Sequence, residues 1–169
     1  MPLVVLTGAS GAGKTTIAQA VEQKRLPDVD VYFFDRIGVQ PVEDMISQFG
    51  SSEGWQWAAT RDWMLRIAPL ATQGRKVLFE GQTRFSFLAK AATLAGIASP
   101  TCILVDCDDS TRSQRLVVDR GQPELANQDV MNWAAFLRKE AAALNAKVLD
   151  TSALTLDQGV NFVMAQFGA

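Results

Sequence analysis

Short apolar runs alternating with longer stretches of helical periodicity constrain this chain more than any other feature. The runs are Leu3 to Thr7, Val29 to Asp35, Lys76 to Glu80, Thr101 to Cys107 and Ala146 to Asp150, and most are continuous, as in Val77-Leu78-Phe79 and Ile103-Leu104-Val105. A strand that is apolar on both sides must be covered on both faces, and intervening helices provide that cover through parallel crossovers. The pattern predicts an α/β fold built on a parallel sheet. With 169 residues, 48% of them hydrophobic and 20% charged, the chain has the size and composition of one domain, 1–169, and lacks the signature of disorder.

The helical segments between the runs carry apolar stripes expected to face the core. The clearest holds Val130, Trp133, Ala134, Leu137, Ala141 and Leu144, and the last holds Leu156, Val160, Val163 and Phe167. Two stretches break the simple alternation. After Asp35 the chain takes about forty residues to reach the next run, where a plain crossover needs about a dozen. Gln40 to Gln73 is predicted as two helices joined at Gly50-Ser51-Ser52-Glu53-Gly54, with Trp55, Trp57 and Trp63 as core residues or as walls of a substrate pocket. The second irregular stretch, Arg120-Gly121-Gln122-Pro123-Glu124-Leu125, reads as a loop after a helix over Thr111 to Asp119 that Asp109 or Ser110 is expected to cap.

Histidine is absent, which removes Ser-His-Asp and Cys-His nucleophiles, imidazole acid-base chemistry and His-bearing zinc sites. Any catalysis must rely on carboxylates, Lys, Arg and backbone amides. Cys102 and Cys107 stand about 16 Å apart on an extended strand, beyond disulfide reach, and are expected as reduced core or loop thiols. A formal charge of -2 offers no broad basic surface to nucleic acid or an anionic membrane, and no apolar run is long enough to span one. The start Met1-Pro2-Leu3 lacks the basic region of a signal peptide, so a cytoplasmic location is expected.

Gly8-Ala9-Ser10-Gly11-Ala12-Gly13-Lys14-Thr15 fits the Walker A pattern, with a buried strand before it and a helical pattern from Lys14 to Lys24 after it. Glycines let the backbone wrap closely enough for successive amides to face phosphate oxygens, and the helix N-terminus adds partial positive charge. A tight strand-to-helix turn would explain the glycines but not the Lys-Thr pair. Lys14 is expected to reach the β- and γ-phosphates, standing solvent-facing in the empty site, and the Thr15 hydroxyl to coordinate Mg²⁺. Glu80 closes the apolar run Lys76 to Phe79 as a second metal ligand or as a solvated strand-end carboxylate. Asp35 ends its run at the sheet edge where ligands of open parallel sheets bind, positioned to accept a proton from a hydroxyl. The neighbouring Arg36 leaves a plain surface ion pair as the other reading.

With these residues the sequence resembles the small P-loop kinases, the group containing shikimate, gluconate and adenylate kinases, and more closely bacterial ATP-binding proteins of that type. The resemblance runs from Leu3 to about Ser152 and is specific at Gly8 to Thr15. It implies a P-loop NTPase fold with five parallel strands sandwiched by helices, a substrate-binding insertion over 36–75 and a lid over 110–127. It also implies an ATP- and Mg²⁺-dependent phosphotransferase moving the γ-phosphoryl group to a small-molecule acceptor. In such kinases the nucleotide lies against the loop from Gly8 through Thr15 and Thr16, and lid arginines hold the transferring phosphates. Arg115 and particularly Arg120 match those arginines, whereas Arg112 reads as part of a solvated face. Asp150-Thr151-Ser152 resembles the loop bordering the nucleotide base, and is equally readable as a plain connection.

Departures narrow the acceptor. Shikimate kinases place two carboxylates two residues apart at the second strand, and Phe33 stands where the first would be. Where they carry a Gly-rich run, and adenylate kinases Gly-Phe-Pro-Arg, this chain has Gly81-Gln82-Thr83-Arg84. Arg61 and Arg84 remain candidates to hold a substrate phosphate or carboxylate. A nucleoside or nucleoside-monophosphate kinase is the alternative among enzymes, and a nucleotide-binding switch or slow NTPase acting through a protein partner the alternative outside them.

Overall fold

The computed structural model describes residues 3–168, so Met1, Pro2 and Ala169 lie outside the described residues. Strands β1 (Leu3–Thr7), β2 (Val29–Phe33), β3 (Lys76–Glu80), β4 (Thr101–Asp106) and β5 (Lys147–Asp150) form one sheet in the order β2-β3-β1-β4-β5. Every neighbouring pair is parallel, with Val5 opposite Phe79 on one side and Cys102 on the other. Successive residues of β1 bury into different layers. Leu3 and Val5 pack with Phe79, Trp63 and Leu88 on one face, while Val4 and Leu6 pack with Ile17, Val105 and Val160 on the other. That double burial is the physical reason for the uninterrupted apolar runs.

The helices are α1 (Lys14–Gln23), α2 (Val42–Phe49), α3 (Ser52–Thr72), α4 (Phe85–Leu94), α5 (Asp109–Gln114), α6 (Gln128–Ala143) and α7 (Leu156–Ala165). The expected insertion is the pair α2 and α3, with a shorter joint than the sequence predicts. Gly50 adopts φ 79° and ends α2, then the Ser51 hydroxyl accepts the Gly54 amide at 2.9 Å, so Gly54 lies inside α3. Among the described residues, no helix is long and apolar enough to cross a membrane.

Three boundaries differ from expectation, each for a local reason. β2 stops at Phe33 because its partner β3 ends opposite it at Glu80. Without a ladder the chain closes a single 3-10 turn, Phe34–Ile37, and Asp35 sits in that turn rather than at a strand end. Asp108, not Asp109 or Ser110, caps α5, its carboxylate accepting the Thr111 amide at 2.7 Å. Beyond Gln114 the helix widens into a π turn, Arg115–Asp119, instead of continuing as α-helix. Two members of the expected core stripes are exposed: Leu144 lies just past the end of α6, and Leu156 opens α7.

Candidate active site

The loop between β1 and α1 follows from close approach. A Cβ on Gly8 would stand 2.2 Å from the Val105 carbonyl oxygen of β4, so no other residue fits there. Gly13 ends the loop at φ 93° and provides no side-chain cap for α1, whose first turn also carries no acidic residue. The amides opening α1 therefore have neither a capping side chain nor a local carboxylate, leaving their donors and the helix dipole for an anion.

Beside this loop lie the groups expected to handle phosphate and metal. Glu80 is only 5% exposed, so it is not a solvated strand-end carboxylate. It accepts the Thr15 hydroxyl at 3.0 Å and pairs with the Lys14 ammonium at 3.3 Å. Lys14 is consequently tucked against β3, with 11% of its side chain exposed, rather than solvent-facing. Among the described residues no cluster of three or more carboxylate or thiol ligands could hold a metal. A Thr15 hydroxyl beside a Glu80 carboxylate is a pair of hard oxygen ligands, which fits Mg²⁺, an ion that keeps several waters and draws on substrate phosphates.

The three arginines in and just after α5 and its π turn have separate environments. Arg112 is fully buried, contrary to the expected solvated face. Its guanidinium donates to the Ser10 carbonyl at 2.7 Å and to the Asp106 carboxylate at 2.6 Å, and Asp106 also receives Arg138 of α6. The buried charge is tolerated because that carboxylate faces it. Arg115 donates to the Thr151 carbonyl and hydroxyl at 2.8 Å each and to the Gly11 carbonyl at 3.3 Å. The Thr151 hydroxyl in turn lies 2.8 Å from the Ala12 carbonyl, which clips the loop after β5 to the phosphate loop. Arg120 is exposed and forms no ion pair among the described residues.

A cavity of about 450 Å³ opens between these elements, bounded by Gly13 to Ile17, Arg115, Arg120, Thr151 and the Leu154 to Leu156 segment. Thr16 lines it, as does Leu156, which explains why that residue faces open space. Asp150 does not line it; its carboxylate accepts the Ser152 hydroxyl at 2.6 Å and the Ser152 amide at 2.9 Å, bonds that hold it below the ordinary aspartate range.

A second cavity, about 260 Å³, lies on the insertion side and shares Lys14, Thr15 and Arg120 with the first. Asp35 and Glu80 line it, together with Phe34, Val39, Trp55, Gln56 and Gln82. Buried hydroxyls fix this wall. Thr7 of β1 donates to the Thr83 carbonyl, and the Thr83 and Thr60 hydroxyls stand 2.7 Å apart, tying β1, the loop after β3 and α3 together. Gln56 of α3 then donates from Nε2 to the Gln82 carbonyl at 2.9 Å, leaving its buried Oε1 with no donor. The Arg36 question resolves away from Asp35, because Arg36 forks onto Glu22 at 2.9 and 3.2 Å and stacks over Phe33.

Arg61 and Arg84 line neither cavity. Arg61 is exposed and pairs with adjacent Asp62 at 2.9 Å. Arg84 turns away to Glu53 at 3.1 Å and lies against the rings of Phe87, Trp133 and Phe136. The tryptophans divide: Trp63 is buried core, donating to the Phe34 carbonyl at 3.0 Å, Trp57 packs on Phe87, and Trp55 alone walls a cavity. Burial pushes the Cys102 thiol up to about 12 and raises that of Cys107, so neither is a nucleophile at neutral pH. Sequence reasoning missed Gln56 and Gln82. Gln82 had a signal in its place just past a strand end, while Gln56 had none, because only the fold of the insertion brings it to the sheet.

No family model matches the chain, and no curated protein matches it in sequence. Its fold matches solved structures of small P-loop kinases. A sugar kinase from Janibacter sp. HTCC2649 aligns over 98% of this chain and 93% of its own, with TM-score 0.71 and 16% identity. A gluconokinase from Sinorhizobium meliloti 1021 aligns over 98% and 91%, with TM-score 0.67 and 15% identity. A shikimate kinase from Acinetobacter baumannii, solved with shikimate, aligns over 99% and 94%, with TM-score 0.60 and 14% identity. The chain thus has the fold of the small P-loop kinases.

Proposed function

We propose that this chain is an ATP- and Mg²⁺-dependent phosphotransferase that moves the γ-phosphoryl group to a hydroxyl of a small molecule. The observation carrying the reading is the junction of two cavities at Lys14, Thr15 and Arg120, one beside the phosphate loop and one beside Asp35. A switch needs only the first. The sugar kinase, gluconokinase and shikimate kinase that share the fold support the same reading.

In this reaction the acceptor oxygen forms a bond to the γ-phosphorus as the bond from phosphorus to the bridging oxygen breaks. ADP leaves with that electron pair, and the hydroxyl proton passes to the Asp35 carboxylate, which among the described residues has no arginine partner to compete for it. Lys14 and the opening amides of α1 bind the phosphates, while Arg120 meets the charge that spreads over the transferring group. Arg115, with its donors on Thr151 and Gly11, shapes the nucleotide wall instead of contacting that group. Thr15 and Glu80 would hold Mg²⁺, which when bound would supply neutralisation of phosphate charge.

ADP release from Mg-ATP across a panel of hydroxyl-bearing small molecules tests the reading. Acceptor-dependent release is expected, with Asp35→Asn lowering it roughly 10²- to 10⁴-fold and leaving calorimetric Mg-ATP binding unchanged. Arg120→Ala should lower kcat by up to about 10³-fold with a smaller change in ATP affinity. Turnover at one rate whatever the added compound would mark a nucleotide-driven switch instead.

A further inference from the structure

The acceptor-side cavity carries a charge pattern that selects among acceptors. Its charged lining residues are two cations, Lys14 and Arg120, and two carboxylates, Asp35 and Glu80, so the lining charge cancels. Both cations also face the phosphate-loop cavity, and Lys14 is already paired with Glu80. The arginines that could have added positive charge are held elsewhere: Arg36 by Glu22, Arg61 by Asp62 and Arg84 by Glu53. An acceptor bearing its own phosphate or carboxylate would enter beside Asp35 with no cation reserved for it, next to a bound triphosphate of the same sign. A cationic acceptor would gain Asp35 but meet Lys14 and Arg120.

The uncharged features of the wall point the same way. Gln56 Oε1 is buried without a donor, because the amide nitrogen is fixed on the Gln82 carbonyl. Asp35 is likewise an acceptor with no ion-pair partner among the described residues. The buried Gln56 oxygen calls for a ligand that presents a donor, since a buried oxygen without one is costly enough to discriminate, and the exposed Asp35 carboxylate offers a second acceptor. Trp55, with Phe34 edge-on beside it, and Val39 supply apolar surface for the carbon face of a ring.

We infer that the acceptor is an electrically neutral, hydroxyl-rich ring compound, one hydroxyl at Asp35 and a second at Gln56 Oε1, with a carbon face on Trp55. This rests on the phosphotransferase reading and adds the charge class to it.

The test uses compounds that share a ring and differ in charge: glucose, glucuronate and glucosamine; thymidine and thymidine monophosphate; inositol and inositol monophosphate. ADP release should favour the neutral member of a set by about tenfold or more in kcat/KM. Gln56→Arg, which adds a cation at the orphaned oxygen, should shift the preference toward the anionic member by a similar factor. Equal or better turnover of a charged member by the unaltered protein overturns the inference. So does transfer to a charged member with none to any neutral compound above the rate with water. A protein that transfers to no member of any set, or that fails to bind Mg-ATP calorimetrically, would instead overturn the phosphotransferase reading itself, so the two failures are distinguishable.

Discussion

Lys14 and Glu80 stabilise one another before any ligand arrives, which changes what removing either should do. Lys14→Ala leaves a nearly buried carboxylate with only the Thr15 hydroxyl, and breaking such a pair typically costs about 3–5 kcal/mol. The single variant should lose both transfer and stability, whereas Lys14→Ala combined with Glu80→Gln should regain most of the stability and none of the transfer. Denaturant unfolding of the two singles and the double reads the coupling, and additive losses would show that the ion pair contributes nothing. Arg112 poses a related case. Arg112→Met removes the donor on the Ser10 carbonyl while Asp106 keeps Arg138, so the expected destabilisation is about 1–3 kcal/mol, that of one unsatisfied buried group, with weaker Mg-ATP binding as the loop apex loosens. Unchanged affinity in a folded Arg112→Met protein would assign Arg112 to stability alone. Arg112 was illegible in the sequence because arginine at helical spacing is nearly always a surface residue. The acid facing it, Asp106, lies at a strand end whose geometry only the fold reveals.

Elements were legible where their signals are local. The strand before the Gly-rich loop, the helix after it and the long insertion all stand where periodicity and length put them. Ends that depend on a neighbour were not: β2 stops where β3 stops, and α5 begins just after Asp108 because that carboxylate, rather than the next two candidates, accepts the Thr111 amide. The cap has a pH signature. Hydrogen bonds from the Thr111 amide and from the Ser110 and Thr111 hydroxyls hold the Asp108 carboxyl well below its ordinary value of 3.8. A lowered folded-state value means the unfolded chain binds the proton first. The stability from this cap is complete above the ordinary aspartate value and lost progressively as pH falls below it. In Asp108→Asn the melting temperature should fall less steeply with acid than in the parent, and parallel acid limbs would show that the charge on the cap does not matter. At neutral pH the variant should keep α5, since Asn is also an effective cap.

At the scale of the whole molecule, the alternation of strands and helices specified a parallel sheet, but not its order. Placing β1 between β3 and β4 puts the phosphate loop at the centre of the sheet's carboxyl edge, with the elements that follow β2 at one flank and those that follow β4 at the other. The lining of the smaller cavity comes from five separate segments, 10–15, 34–39, 55–56, 80–82 and Arg120, which no sequence window spans. This explains why the Gly-rich loop could be read and the wall of that cavity could not. The division of the tryptophans gives the protein a built-in optical reporter. Trp55 borders the smaller cavity and meets Phe34 edge-on at 5.7 Å, whereas Trp57, Trp63 and Trp133 line neither cavity. Ring emission responds to the polarity of its surroundings, so an acceptor that displaces water from Trp55 should shift the protein's fluorescence while ADP leaves it almost untouched. Trp55→Phe should abolish that acceptor-dependent shift. A shift surviving the substitution would locate the acceptor on some other surface, and its absence would turn the indole into a gauge of occupancy on one side of the site, readable without any turnover at all.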